Sequence, residues 1–118
     1  FKGAIADFDQ AIKLNPNFTI AYFNRANAKD EMGDYEGAIS DYNKAIKLHP
    51  KYFDAYNNRG NVKSKQKDFQ GALEDYQKAV ELNPKFALGY YNIGLSYYNL
   101  DKYQEAISGY DKAIELNP

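Results

Sequence analysis

The chain has 118 residues, of which 44% are hydrophobic and 26% charged, a balance typical of a folded globular domain rather than of a disordered or membrane protein. It contains no cysteine, which excludes disulfides, thiolate nucleophiles and zinc sites that use sulfur. The formal net charge is -1, so we expect no nucleic-acid partner, and no apolar run approaches the roughly 20 residues needed for insertion across a membrane.

A hexapeptide that ends in proline recurs along the chain. Ala-Ile-Lys-Leu-Asn-Pro ends at Pro16, and close relatives of it end at Pro50, Pro84 and Pro118, each 34 residues after the last. Four matches at one spacing indicate an array of duplicated units within a single domain. We assign 1–18 to the second helix of a truncated repeat, 19–52 to repeat 1, 53–86 to repeat 2 and 87–118 to repeat 3.

Each unit divides into two stretches of about 13 residues with apolar side chains at helical spacing. Phe1 stands in the turn before an amphipathic helix over 3–14, so we expect the sequence to begin inside a longer natural chain. Three hairpins follow, with first helices predicted near 19–32, 53–66 and 87–100 and second helices near 36–48, 70–82 and 104–116. Tight turns within the hairpins are expected at Gly33-Asp34, Lys67-Asp68 and Asp101-Lys102.

Large and small residues recur at fixed positions of the units. The fourth and twenty-fourth positions are tyrosine, and the twentieth and twenty-seventh are alanine. We expect the alanines to let helices approach closely and the tyrosines to fill the core between them. The predicted core tyrosines are Tyr22, Tyr42, Tyr56, Tyr76, Tyr90 and Tyr110.

This pattern resembles the tetratricopeptide repeat, with its aromatic residues, small residues and closing proline at the same positions. The resemblance covers the whole chain. It implies an all-α, right-handed solenoid of about seven helices, one leading helix followed by three two-helix repeats. Arg25 and Arg59 depart from the family, which usually has leucine there, and Lys29 and Lys63 depart where tyrosine is usual.

Two pairs of opposite charges recur at the same positions of successive units. Arg25 occurs with Asp41 and Arg59 with Asp75, whereas the third unit lacks both partners. We therefore predict a half-exposed salt bridge between the two helices of each of the first two hairpins, contributing on the order of 1 kcal/mol or less.

The concave wall of such a solenoid is lined by the first helix of each unit. At about 100° per residue, the second, fifth, sixth, ninth, twelfth and thirteenth positions share one arc of that helix, opposite the core tyrosine. Asparagine occupies the sixth position of every unit and the ninth position of two. Because asparagine is a mediocre helix former, this recurrence needs a reason.

One reason is inheritance from a duplicated consensus, with each amide bonded only to a neighbouring helix. The other is function, since an amide offers a donor and an acceptor to the backbone of an extended peptide, as in the asparagine ladder of peptide-binding family members. Such binding would lie around the micromolar range at best. The predicted peptide contacts are Asn24, Asn27, Asn57, Asn58, Asn61 and Asn92, with Phe23, Leu88, Tyr91 and Leu95 as apolar contacts.

One variant of the family binds a C-terminal carboxylate with basic residues spread over three units. Asn27 and Asn58 match the amide positions of that variant, but Phe23, Leu88 and Asn92 occupy the positions of its basic residues. Because the compensating cations are missing, a chaperone-tail carboxylate is not the expected ligand.

Catalytic patterns are missing from the sequence. His49 is the single histidine and stands where other units carry asparagine, and no phosphate loop, nucleophile elbow or metal-ligand spacing is present. We therefore expect a non-catalytic scaffold with no cofactor or metal that binds a protein or peptide partner. The sequence indicates no compartment, so the cytoplasm is only a default.

Self-association is the alternative from a different functional class. The array starts half-way through a unit and ends on an uncovered hairpin, so both ends are expected to expose apolar surface. At the rear this surface includes Tyr103, Ile107 and Tyr110. A homo-oligomer assembled through these terminal hairpins is the second hypothesis.

Overall fold

The computed structural model describes the backbone of residues 2–118 and the side chains of 3–118, and these residues form seven α-helices without a strand. The helices are α1 (Lys2–Leu14), α2 (Thr19–Glu31), α3 (Tyr35–Leu48), α4 (Phe53–Lys65), α5 (Phe69–Leu82), α6 (Ala87–Asn99) and α7 (Tyr103–Leu116). The predicted all-α solenoid is confirmed, as a leading helix and three hairpins that measure 48 × 25 × 23 Å. None of the helices in this part of the chain is long and apolar enough to cross a bilayer.

The second helices begin one residue earlier than predicted, and aspartate caps two of them. The carboxylate of Asp34 accepts a hydrogen bond from the backbone N–H of Gly37 at 3.0 Å, and Asp68 makes the equivalent bond. Each preceding turn contains a residue in the left-handed region: Gly33 at φ 84°, Lys67 at 67° and Asp101 at 63°. The turns therefore lie at the three predicted positions.

Each first helix packs both on the second helix of its own hairpin and on the hairpin before it. One core cluster joins Ala26, Ala38 and Tyr42 to Ala55 and Val62 of the next hairpin. A second cluster is centred on α5 and includes Ile93 of α6. Each cluster therefore crosses one junction between hairpins, as stacking of repeats requires.

The six predicted core tyrosines are buried to different degrees. Tyr22, Tyr42 and Tyr76 are 9%, 1% and 3% exposed, respectively. The other three, Tyr56, Tyr90 and Tyr110, are only half-buried. The guanidinium carbon of Arg59 stands 5.2 Å from the centre of the Tyr56 ring, so a long side chain covers part of this ring.

Arginine joins the two helices of each of the first two hairpins, as predicted. Nε and Nη2 of Arg25 donate to the two carboxylate oxygens of Asp41, each at 2.7 Å. Arg59 holds Asp75 in the same bidentate manner, at 2.9 and 2.7 Å. Lys29 and Lys63 approach the same two carboxylates at 3.1 Å, which gives a physical role to all four departures from the family pattern.

The predicted exposure of these salt bridges was wrong. The arginine side chains are 18% exposed and the two aspartates only 6% and 5%, because each pair lies between helices rather than on the surface. The third donor, Nη1, contacts the helix that precedes the arginine's own. Nη1 of Arg25 donates to Oδ1 of Asp9 in α1, and Nη1 of Arg59 donates to Oδ1 of Asn43 in α3, both at 2.7 Å. Each guanidinium thus connects three consecutive helices.

The third hairpin replaces this ion cluster with close backbone contact. Ile93 stands in place of the arginine and Gly109 in place of the aspartate. A Cβ atom on Gly109 would lie 2.8 Å from the backbone nitrogen of Gly94, so a side chain at this position would force α6 and α7 apart. The close approach of α6 and α7 therefore leaves no room for an aspartate side chain at this position.

We predict that Asp75→Asn lowers the free energy of unfolding by roughly 2–3 kcal/mol, because Arg59 and Lys63 lose their shared counter-charge in a mostly buried position. Urea denaturation followed by circular dichroism measures the change. The double variant Arg59→Ile/Asp75→Gly carries the residues of the third hairpin. Its loss in free energy of unfolding should be smaller than the sum of the losses measured for Arg59→Ile and Asp75→Gly alone. Strict additivity would contradict the coupling.

Candidate functional site

The candidate site is the face of α2, α4 and α6 that carries the recurring asparagines. On this face, side chains at the sixth and thirteenth positions of a unit reach back to the first helix of the preceding unit. Nδ2 of Asn58 donates to Oδ1 of Asn27 at 3.1 Å, and Nζ of Lys65 lies 2.9 Å from the Asp30 carboxylate. The partner side chains stand at the fifth, ninth and twelfth positions of the preceding unit. Part of the predicted arc is therefore engaged in contacts between units.

Asn57 and Asn92 lie at the junction between α4 and α6. Nδ2 of Asn92 donates to Oδ1 of Asn57 at 2.9 Å, and the two residues are only 7% and 2% exposed. A buried amide is costly unless it is hydrogen-bonded, and here each amide supplies the other's partner. Asn57 and Asn92, both predicted as peptide contacts, are therefore buried and hydrogen-bonded to each other.

The ninth-position asparagines are bonded to tyrosines of their own hairpin. The hydroxyl of Tyr42 donates to Oδ1 of Asn27, and that of Tyr76 donates to Oδ1 of Asn61 at 2.6 Å. Burial raises the pKa of both tyrosines well above the usual value for a phenol. The same asparagine and tyrosine positions recur together in both units, a signal that sequence reasoning missed.

Four partly exposed asparagines of α2 and α4 keep unused hydrogen-bonding groups. Among residues 3–118, Asn24 makes no side-chain hydrogen bond, and Oδ1 of Asn58 and the Nδ2 groups of Asn27 and Asn61 have no partner. These atoms comprise donors and an acceptor in adjacent helices. We call this surface the amide wall, formed by Asn24, Asn27, Asn58 and Asn61.

Phe23, which the sequence predicts as an apolar contact, is partly buried in the structure. Its ring stacks on Tyr52 at a centroid distance of 4.7 Å and meets Tyr42 edge-on at 6.0 Å, within the first core cluster. The Phe23 ring is thus partly covered by Tyr52, the residue that precedes α4. Tyr91, at the same position of the third unit, has no following helix in the structure and is 48% exposed.

The apolar residues of the third hairpin form one surface. Tyr91 of α6 lies 5.5 Å from Tyr110 of α7 between ring centres, and Tyr98 lies 5.5 Å from Tyr103. The predicted peptide contacts on α6 and the predicted self-association residues on α7 are therefore neighbours rather than separate sites. We call this surface the open groove; its stripes are Leu88, Tyr91, Leu95 and Tyr98 on α6 and Tyr103, Ile107, Tyr110 and Ile114 on α7.

A cavity of about 520 Å³ lies at one end of the open groove. Ala87, Leu88, Tyr91, Tyr110, Ala113, Ile114 and Asn117 line it. Seven residues line it and only Asn117 brings an amide, so its chemistry suits an apolar or aromatic side chain.

Asn92→Ala should lower the free energy of unfolding by about 1–3 kcal/mol, because the buried amide oxygen of Asn57 loses its donor. Asn24→Ala is the matched control, since this amide is partly exposed and unbonded, and it should change stability by less than about 0.5 kcal/mol. Both values come from urea titration. Equal losses for the two variants would show that the Asn92 bond contributes nothing specific.

Family models extend this description to known proteins. One model described as tetratricopeptide repeat matches residues 53–86 and 87–118, and a second with the same description matches residues 8–40. A model described as TPR repeat matches residues 27–67. A search of curated proteins gave no match.

Solved structures share the fold at similar levels of identity. One crystal structure of MamA is 28% identical with a TM-score of 0.91 over 95% of this chain and 66% of that chain. A second MamA crystal structure is 29% identical with a TM-score of 0.92 over 98% and 63%. The chain spans a little less than two thirds of either MamA chain.

The first TPR of Spaghetti (RPAP3), bound to the HSP90 peptide SRMEEVD, is 28% identical with a TM-score of 0.82 over 85% of this chain and 79% of that chain. The family models, the seven-helix solenoid and the 34-residue period agree with one another. The chain belongs to the tetratricopeptide-repeat family of helical scaffolds for protein–protein interaction.

Proposed function

We propose that this scaffold is non-catalytic and binds an extended peptide segment of a partner protein along the amide wall. The observation that carries the proposal is the set of unused amide atoms on Asn24, Asn27, Asn58 and Asn61, which are partly exposed in adjacent helices. Nδ2 of Asn27 and Asn61 can donate to peptide carbonyls, and Oδ1 of Asn58 can accept from a peptide N–H.

The internal bonds of these asparagines favour binding. Because the hydroxyls of Tyr42 and Tyr76 hold the Oδ1 atoms, the Nδ2 groups of Asn27 and Asn61 point in a fixed direction before a ligand arrives. Side chains that are already ordered lose less conformational entropy on binding. A small number of such bonds supports an affinity around the micromolar range at best.

The charge of the site argues for recognition of the backbone rather than of a terminal carboxylate. The Spaghetti domain is similar to this chain and is bound to a peptide with three acidic residues and one arginine. Here Phe23 is packed under Tyr52, and Leu88 and Asn92 take the other positions where basic residues would stand. We propose that Leu88, Tyr91 and Leu95 instead contact apolar side chains at one end of the peptide.

Peptides selected from a random extended library on this protein should bind more weakly to Asn24→Ala and Asn58→Ala, by about 2- to 12-fold for each variant, as expected for the loss of one net hydrogen bond. Isothermal titration calorimetry gives the dissociation constants. Gln104→Ala is the control, because it removes an exposed amide from the second helix α7. Selected peptides whose affinity is the same for all three variants would refute the amide wall.

Self-association through the terminal hairpins is the second candidate function. It is favoured by the exposure of Tyr103 and Ile107, at 54% and 55%, beside the equally exposed Tyr98. Buried on a second copy, these rings and aliphatic groups would stabilise an oligomer.

Light scattering coupled to size exclusion at several concentrations tests this candidate. Self-association requires oligomers that Ile107→Asp abolishes, because a charge enters the apolar contact, and that Asn58→Ala leaves intact. A monomer of 13.5 kDa at every concentration would reject it.

A further inference from the structure

We infer that the extended segment bound along the amide wall carries a lysine or arginine that pairs with Asp54 of α4, and an apolar side chain that contacts Ile20 of α2. The inference rests on the proposed function, since it names the class of peptide that the same surface would take. It uses only the first two repeats, whose first helices α2 and α4 are each followed by another first helix in the structure.

The asparagines of the amide wall belong to two stripes along the first helices. The second, sixth, ninth and thirteenth positions of a unit are three or four residues apart, so they share one side of the helix. The stripe on α2 is Ile20, Asn24, Asn27 and Glu31, and the stripe on α4 is Asp54, Asn58, Asn61 and Lys65. At one end the amide wall is therefore bordered by Ile20 and Asp54, and at the other by two side chains of opposite charge.

This side of the first two repeats carries unpaired negative charge. Nζ of Lys65 lies 2.9 and 3.1 Å from the two carboxylate oxygens of Asp30, so this cation is already paired. Within residues 3–118, Asp54 and Glu31 are exposed and form no ion pair. A peptide on this surface therefore meets two uncompensated carboxylates, which favours a basic segment over an acidic one.

Two further cations of α4 lie on its far side. At about 100° per residue, Arg59 and Lys63 stand about 140° and about 180° around the helix from Asp54. Both contact the buried carboxylate of Asp75 between α4 and α5. They therefore do not neutralise Asp54, and a ligand can supply its counter-charge.

The surroundings of Asp54 strengthen a pairing with a cation. Desolvation raises the pKa of this carboxyl above its ordinary value. The pKa of Tyr52 is raised by burial and also by the charge of Asp54, which places the carboxylate near this phenol. An ion pair with a partly desolvated carboxylate is stronger than one in open water, and the tyrosine ring offers a surface for a guanidinium or an alkyl stem.

The fold does not require an acidic residue at this position. Asp54 lies in the first turn of α4, where a negative charge is favoured by the helix dipole. The equivalent residue of α2 is Ile20, and the first turns of both α2 and α6 form without an acidic residue. Ile20 is 43% exposed although α4 follows α2, so its side chain is accessible to a ligand. Neighbouring helices thus offer a carboxylate and an apolar group at the same level.

The spacing of the two contacts sets the spacing in the peptide. The hydrogen bond between Asn58 and Asn27 shows that side chains of α4 and α2 are in contact. Axes of helices in contact lie about 8–10 Å apart, and an extended chain advances about 3.3 Å per residue. The basic and apolar residues of the ligand should therefore stand two or three positions apart.

Selection from a peptide library on the full chain tests the composition of the ligand. The probe is a library of random octapeptides displayed between two flexible linkers, so that no free terminus takes part. We expect enrichment of lysine or arginine at one position and of an apolar residue two or three positions away. Selected peptides without a basic residue, or with an acidic one in its place, would overturn the inference.

Replacement of single charges tests the pairing with Asp54. Changing the basic residue of a selected peptide to glutamine should weaken binding about 3- to 10-fold in isothermal titration calorimetry at low ionic strength. The same change should have no effect on binding to Asp54→Asn, whereas Asp54→Lys should prefer a glutamate in the peptide. Asp111→Asn is the matched control, because it removes an exposed carboxylate from α7 and should keep the full preference. Circular dichroism checks that each variant is folded.

Asn24→Ala/Asn58→Ala separates this inference from the amide wall itself. It should weaken the basic peptide and its glutamine version by the same factor, because it removes bonds to the peptide backbone. Weakening of both peptides by this variant, together with equal affinity of the two for the unchanged protein, would overturn the pairing with Asp54 and support the amide wall. A preference that depends on Asp54, with affinities that the asparagine variant does not change, would instead refute the amide wall.

Discussion

Two largely buried guanidinium groups hold the first two hairpins together. Each arginine bonds an aspartate of the following helix and a polar side chain of the preceding second helix, so one residue sets the spacing of three helices. Bidentate geometry also fixes direction, which apolar packing alone does not. The nearby asparagine and tyrosine bonds are short and directional, and they require the first and second helices to remain in this alignment.

Asparagine occupies two environments on the first helices. At the α4–α6 junction the amides of Asn57 and Asn92 are enclosed and joined by a hydrogen bond. On α2 and α4 the amides use only part of their capacity internally, and the remainder faces the partly exposed surface. The same residue type is thus fully enclosed where a neighbouring helix covers it and retains unbonded amide groups where none does. Burial, rather than residue identity, divides the two environments.

The fold was largely predictable because it is a repeated local pattern: helix bounds, turns and the Arg25–Asp41 pairing all follow from spacing within 34 residues. The site was less predictable, because an arc on an isolated helix does not reveal which side the next unit covers. Phe23 and Asn57 share the exposed arc with Asn24 in projection, yet Tyr52 partly covers the first and α6 encloses the second. Exposure in a solenoid depends on contacts between units, and a helical projection contains none.

The two ends of the array are held by different forces. Helix α1 is joined to α2 partly through Asp9, whose side chain is 55% exposed, so added salt screens this contact. The third hairpin relies on glycine-mediated close packing and on aromatic and aliphatic contacts, which weaken on cooling but are insensitive to moderate salt. Added salt therefore weakens a contact at the α1 end of the array, whereas cooling weakens the packing at the α7 end.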